Sequence, residues 1–123
     1  MEIRTFFFDT YAFLEIIRGN NKYKNYSNTT IITTKLNLME LHYILLREKG
    51  AKIAEEYYDF FKEFCVKIDD EIIKKANEFR YKHKKKDLSY VDCIGYLIAR
   101  TRNIKFLTGD KAFKGIQGVE FVK

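Results

Sequence analysis

The stretch IRTFFFDT, residues 3–10, and its late counterpart IKFLTGD, residues 104–110, decide the reading of this chain. Each is a short apolar run closed by an aspartate, Asp9 in the first and Asp110 in the second. Runs of four to eight apolar residues fit strands buried on both faces, as in a parallel sheet. Two further acids interrupt apolar segments: Glu40 lies within KLNLMELHYILL and Asp92 within LSYVDCIGYLIA. A buried carboxylate is costly unless it is paired or metal-bound, so four such interruptions ask for one explanation. A shared divalent-metal site supplies it.

Thr30 to Thr34 reads as another strand, Phe121 to Val122 as a weaker terminal one, and Cys65 to Ile68 as a further short candidate. Helical patterns cover Tyr11 to Arg18, Leu36 to Lys49, Ala51 to Phe64, Asp70 to Tyr81 and Ser89 to Arg102, with Gly50 separating two helices of a hairpin. Strands alternating with helices imply an α/β fold with a parallel sheet and right-handed crossovers. Asp9 and Asp110 then fall at the carboxyl edge of the sheet, where such folds bind ligands. Glu40 shares helical spacing with Leu36 and Ile44, which sets it on the apolar face, and Asp92 occupies the first turn of its helix.

Each acid also has a plainer role to weigh. Ser89 and Asp92 make an S-x-x-D capping box, Asp9 can cap the helix that follows it, and Asp110 can belong to a turn. Glu40 is the hardest to explain without a ligand.

The bulk composition sets limits. With 123 residues, 46% of them hydrophobic and 16% aromatic, the chain suits one domain, residues 1–123, with a substantial core. A formal charge of +6 favours a polyanionic partner such as nucleic acid. Cys65 and Cys93 stand in apolar surroundings without C-x-x-C spacing, which argues for reduced thiols and against a zinc site or disulfide framework. The N-terminal apolar run is too short for a signal peptide, and no stretch approaches the roughly 18 apolar residues of a membrane span. The expected location is cytoplasmic, with no membrane partner.

FFFDTYAFLEII, LNLMELHYIL, LSYVDCIGYLIAR and FLTGDKAF together resemble the PIN domain, a metal-dependent ribonuclease fold that includes the VapC-type toxins of toxin–antitoxin pairs. The resemblance covers nearly the whole chain. It implies a three-layer α/β/α sandwich with a central, mainly parallel sheet. It makes Asp9, Glu40, Asp92 and Asp110 the catalytic and metal-binding acids, and Thr108 the supporting hydroxyl two residues before the last of them. It also implies a homodimer and an antitoxin peptide as partners.

The chemistry agrees with the residue types. Phosphodiester hydrolysis needs activated water and stabilisation of the charge on the scissile phosphate, both of which Mg²⁺ or Mn²⁺ held by carboxylate oxygens can provide. Asp9 and Asp110 are expected to hold the main ion and Asp92 to share it or a second. Glu40 either binds metal or positions the attacking water. In RYKHKKKD, the cations Arg80, Lys82, Lys84, Lys85 and Lys86 are candidate RNA contacts, or else a solvated helix end. Asp87 reads as an ion-pair or helix-start residue more readily than as an accessory acid. His42 and His83 fall on separate helices and make a weak pair for metal-free acid–base cleavage. The aromatic residues Tyr57, Tyr58, Phe60, Phe61 and Phe64 suit core packing, with an interface as the other reading.

Two other α/β hydrolytic or signalling families fit less well. A haloacid-dehalogenase-like phosphatase needs an acid where this chain has Tyr11, and a receiver domain needs an aspartate where the middle strand ends in Thr33 and Thr34. A PIN fold that binds RNA or protein without cleavage is the remaining rival.

Overall fold

Phe6, Phe7 and Phe8 alternate between two cores, and that alternation organises the molecule. The computed structural model describes residues 3–123, so the first two residues of the single-domain reading lie outside it. Strand β1, Thr5–Phe8, sends Phe6 and Phe8 into one apolar cluster and Phe7 into the other. Successive side chains of a strand point to opposite faces, so a continuous apolar run belongs in a sheet covered on both sides. Burying one such phenylalanine contributes roughly 1.5–3 kcal/mol.

The sheet has four parallel strands in the order β2-β1-β3-β4, with β2 at Thr30–Ile32, β3 at Lys105–Thr108 and β4 at Val119–Phe121. Phe7 sits in register with Ile32 on one side and Phe106 on the other. Helices α1 (Thr10–Ile17), α2 (Lys35–Lys49) and α3 (Ala51–Phe61) cover the face of Phe6, Phe8 and Leu107. Helices α4 (Asp70–Lys82) and α5 (Tyr90–Thr101) cover the face of Phe7 and Phe106. This is the expected three-layer α/β/α sandwich with a parallel sheet.

Strand order reverses between β1 and β3, and the crevice at their carboxyl ends is where such sheets place ligands. Asp9 directly follows β1, and Asp110 follows β3 by two residues. Gly95 brings α5 against this part of the sheet. A β-carbon there would stand 2.5 Å from Phe7 Cε1 and 3.1 Å from Phe106 Cε1, so only glycine permits the approach.

Several boundaries differ from expectation for local reasons. Cys65 to Ile68 does not form a strand. It makes one parallel bridge, Thr33 with Cys65, because Thr34 already turns away as the N-cap of α2, its hydroxyl accepting from Asn37 N at 3.3 Å. The aromatic helix stops at Phe61 and continues as a 3-10 turn, Lys62–Phe64. The terminal strand begins two residues earlier than expected. Gly50, at φ +92°, donates to Leu45 and Leu46 carbonyls and ends α2, as the hairpin reading requires. Cys65 and Cys93 are free thiols, and no helix among the described residues is long and apolar enough to cross a membrane.

Candidate active site

Asp9 is 2% exposed, which is rare for a carboxylate and sets the problem of the site. Its Oδ1 accepts from Ala12 N at 2.8 Å, so the capping role is real and occupies one oxygen. Burial pushes its pKa well above the usual carboxylate range. Hydrogen bonds from the Thr108 side chain and Ala12 N–H oppose that push, while the charges of Asp92 and Asp110 add to it. Thr108, fully buried, accepts from Asp110 N at 3.1 Å through its own Oγ1, so this hydroxyl lies between the two strand-end acids.

Asp110 likewise does two things. Its Oδ1 caps the short 3-10 turn Lys111–Phe113 by accepting from Ala112 N at 3.0 Å, while the residue also lines the cleft at the sheet edge. Gly109 permits this geometry. A β-carbon there would stand 2.5 Å from the Val122 carbonyl oxygen and would also meet the Tyr11 ring.

Asp92 sits in the first turn of α5, half-buried. Ser89 Oγ accepts from its backbone N–H at 3.1 Å, so Ser89 caps the helix and the Asp92 carboxylate is left facing the cleft. Burial raises its pKa to about 6, with the Ser89 hydroxyl lowering it and the charges of Glu40 and Asp110 raising it. Asp9 and Asp110 thus cap the turns that follow them, Ser89 caps α5, and all three acids still line the cleft.

Glu40 lies on the half-buried flank of α2 beside Leu36 and Ile44, while Asn37, Leu38, Leu41 and Leu45 form the buried seam. Its Oε1 accepts a 2.7 Å hydrogen bond from Thr10 Oγ1. Behind it, Thr34 Oγ1 donates to Asn37 Oδ1 at 2.7 Å, and Asn37 Nδ2 reaches Thr10 Oγ1 at 3.4 Å. This Thr34–Asn37–Thr10–Glu40 chain ties α2 to the start of α1.

All four acids line one open cleft of ≈ 540 Å³, together with Thr10, Tyr11, Lys111 and Lys123. Among the described residues no three His, Cys, Asp or Glu groups stand close enough to form a ready chelating cluster. The donor set nevertheless fits a hard divalent cation, since four carboxylates line the cleft and neither histidine nor cysteine does. Sequence reasoning missed Thr10, Asn37 and Thr34, whose ordinary polar character gives no signal. It also missed Lys111 and Lys123 at the rim, although Lys111 adjoins Asp110.

The remaining candidates lie elsewhere. His42 packs edge-on to Tyr58, His83 Nδ1 pairs with the Phe79 carbonyl at 2.9 Å, and neither enters the cleft. Asp87, in the left-handed region at φ 55°, lines a different pocket with Arg80 and Lys84. Arg80 is half-buried and its Nε donates to the Leu88 carbonyl at 2.8 Å, whereas Lys82, Lys84, Lys85 and Lys86 are exposed. Of the aromatics on α3 and the turn after it, Phe61 is buried against Phe13, Tyr57, Tyr58 and Phe64 are half-buried, and Phe60 is exposed. The core reading holds for most of them.

The sequence matches the PIN domain family across residues 6–119. The chain belongs to the PIN domain family. No curated protein sequence matches it significantly. Among solved structures it resembles the sarcin–ricin-loop-cleaving toxin VapC20 of Mycobacterium tuberculosis, at TM-score 0.79 and 18% identity over 96% of this chain and 99% of that one. A chain of a Klebsiella pneumoniae toxin–antitoxin complex gives 0.74 and 19%, covering 93% and 94%. A chain of Rickettsia felis VapBC2, bound to a promoter DNA fragment, gives 0.72 and 19%, covering 96% and 97%. Identities this low establish the PIN fold and leave the activity to the site itself.

Proposed function

We propose that this PIN domain is a Mg²⁺- or Mn²⁺-dependent ribonuclease, the toxin component of a VapBC-type toxin–antitoxin pair. The observation that carries the reading is the meeting of Asp9, Glu40, Asp92 and Asp110, from four separate stretches of sequence, in one cleft at the strand-order reversal. Asp9 and Asp110 would hold the cation, with Asp92 and Glu40 completing its surroundings. A bound divalent ion would stabilise the negative charge developing on the scissile phosphate and lower the pKa of the attacking water.

The chain's own residues account for the rest. Thr108 orients Asp9 and Asp110, and Thr10 anchors Glu40 by one carboxylate oxygen. Lys111 and Lys123 stand at the rim, where they neutralise phosphates of a bound strand and favour anionic substrate despite the four acids. The exposed lysines Lys82, Lys84, Lys85 and Lys86 add a salt-dependent binding term.

The toxin assignment is supported by the toxin–antitoxin complexes among the similar folds. An antitoxin and a second copy of the chain are the protein partners. Exposed Met39, Tyr43 and Leu46 on α2 and Phe60 on α3 offer apolar surface for them. The test is cleavage of a panel of structured and unstructured RNAs with Mg²⁺, Mn²⁺ or EDTA, by wild type and by Asp9→Asn. Cleavage lost in both EDTA and the variant supports the reading. Tight RNA binding with no cleavage under either metal would replace it with a catalytically silent binding module.

A further inference from the structure

Arg80, Tyr81, Lys84 and Tyr90 converge on a pocket of ≈ 230 Å³ outside the acid cleft, between the end of α4 and the start of α5. The Arg80 guanidinium lies 4.0 Å from the centre of the Tyr90 ring, and Lys84 Nζ lies 5.0 Å from that of Tyr81. Each cation sits over one face of its tyrosine, yet both tyrosines remain largely exposed, Tyr81 at 72% and Tyr90 at 59%. Two large aromatic rings left in solvent around one pocket present apolar surface that a core or a ligand would bury.

Asp87 lines the same pocket but forms no ion pair with the cations around these rings. Among the described residues, no carboxylate stands within ion-pair distance of Arg80, Lys82, Lys84, Lys85 or Lys86. Arg80 alone is fixed, by its Nε bond to the Leu88 carbonyl, and that bond leaves its other N–H groups as donors in the pocket. Exposed π-faces beside unpaired cations are the combination that binds single-stranded nucleic acid, in which unstacked bases find aromatic faces and phosphates find charge. A duplex hides its base faces and cannot use the rings.

We infer that this pocket is a subsite for one unpaired nucleotide of RNA, its base stacked on Tyr81 or Tyr90 and its phosphate held by Arg80 and Lys84. The inference rests on the RNA-cleaving reading of the acid cleft, and adds a preference for a single-stranded segment beside the cut. Tyr90 and Asp92 are two residues apart in the first turn of α5, about 200° around the helix at 3.6 residues per turn. The subsite therefore lies across the start of α5 from the acids, about one helix diameter or ~10 Å away, and takes a neighbouring nucleotide instead of the one being cut.

The experiment measures binding in EDTA, where the strand stays intact, to an unstructured RNA octamer carrying 2-aminopurine and to an RNA duplex of equal length. The proteins are wild type, Tyr81→Ala/Tyr90→Ala and Tyr81→Phe/Tyr90→Phe. The double alanine variant should bind the octamer about tenfold more weakly, the loss expected when a stacked base leaves its aromatic platform. It should also lose the fluorescence quenching of the stacked base. The phenylalanine variant should match wild type, and duplex binding should not change. Equal octamer binding by the alanine variant, an equal loss on duplex, or competition by polyglutamate as strong as by RNA would each overturn the subsite. If wild type binds the octamer ring-dependently yet cuts no RNA, the subsite stands and the nuclease reading fails. If cleavage persists while octamer binding is independent of the rings, the nuclease reading stands and the subsite fails.

Discussion

Thr10 Oγ1 and Glu40 Oε1 stand 2.7 Å apart, joining the first residue of α1 to the middle of α2 across 30 positions of sequence. The bond fixes a carboxylate that otherwise swings on a long side chain, and the buried amide of Asn37 supports it from behind. Thr10→Val keeps the shape and removes the hydroxyl. Losing one partner from a buried polar chain costs about 1–3 kcal/mol. Thermal unfolding should register that loss. RNA cleavage should fall further than stability alone explains, through kcat, with Thr10→Ser restoring most of it.

Asp9→Asn separates charge from capping. Asparagine caps a helix about as well as aspartate, so α1 should keep its start. Removing a desolvated, mutually repelled carboxylate should leave the metal-free protein as stable as wild type or more so. A variant with raised Tm and abolished cleavage is the expected result, checked by calorimetry and an RNA assay. Asp9→Ala should lose activity too, but with a stability cost of about 0.5–2 kcal/mol from the missing cap.

Stability should fall as pH rises through the acid range. Asp92 has its pKa raised from 3.8 to about 6 in the fold. A carboxyl with a folded pKa above its unfolded one binds its proton more tightly when folded, so the favourable contribution is full below about pH 4 and gone above about pH 6. At about 1.4 kcal/mol per pH unit this amounts to about 2–3 kcal/mol for Asp92, and Asp9 acts in the same direction. In EDTA, Tm should be higher at pH 5 than at pH 7.5, and Asp92→Asn should flatten the difference. Millimolar Mg²⁺ should raise Tm at pH 7.5 in wild type and much less in Asp92→Asn.

Gly109→Ala tests the close packing under the last acid. The new β-carbon would stand 2.5 Å from the Val122 carbonyl oxygen, which is backbone and cannot rotate aside. Overpacking of this kind costs about 1–3 kcal/mol and should displace Asp110 with the turn it caps. Loss of cleavage with a modest drop in Tm is expected. An alanine variant of full activity would show that Gly109 does not shape the site.

The sheet and the meeting of four acids in one cleft were legible because each rests on a strong local signal. IRTFFFD and IKFLTGD carry their apolar runs and terminal aspartates in plain view, and a charge inside an apolar helix pattern, as at Glu40 and Asp92, conflicts with the hydrophobic effect. Asp9, Asp92 and Asp110 could also be read as caps or turn residues. In the structure Asp9 and Asp110 each spend Oδ1 on a backbone N–H while lining the cleft, and Ser89 caps α5 in place of Asp92.

What stayed hidden depends on contacts between distant segments. Nothing about Thr10, Thr34 or Asn37 marks them as a buried chain behind Glu40, because threonine and asparagine are common at helix starts anyway. The expected strand at Cys65 to Ile68 had the right composition, but its pairing was decided by where Thr34 leaves β2. Arg80 looked like one more cation in a basic run, and only the fold sets it on the Leu88 carbonyl and the Tyr90 ring.

A crystal structure with Mn²⁺, read by anomalous scattering at the carboxyl ends of β1 and β3, tests the four-acid metal site most directly. An anomalous peak coordinated by Asp9 and Asp110, with Asp92 or Glu40 nearby, is expected, and it should disappear in Asp110→Asn crystals grown under the same conditions. A cleft with no peak at saturating Mn²⁺, in a protein that still cuts RNA in EDTA, would contradict a carboxylate-bound metal nuclease.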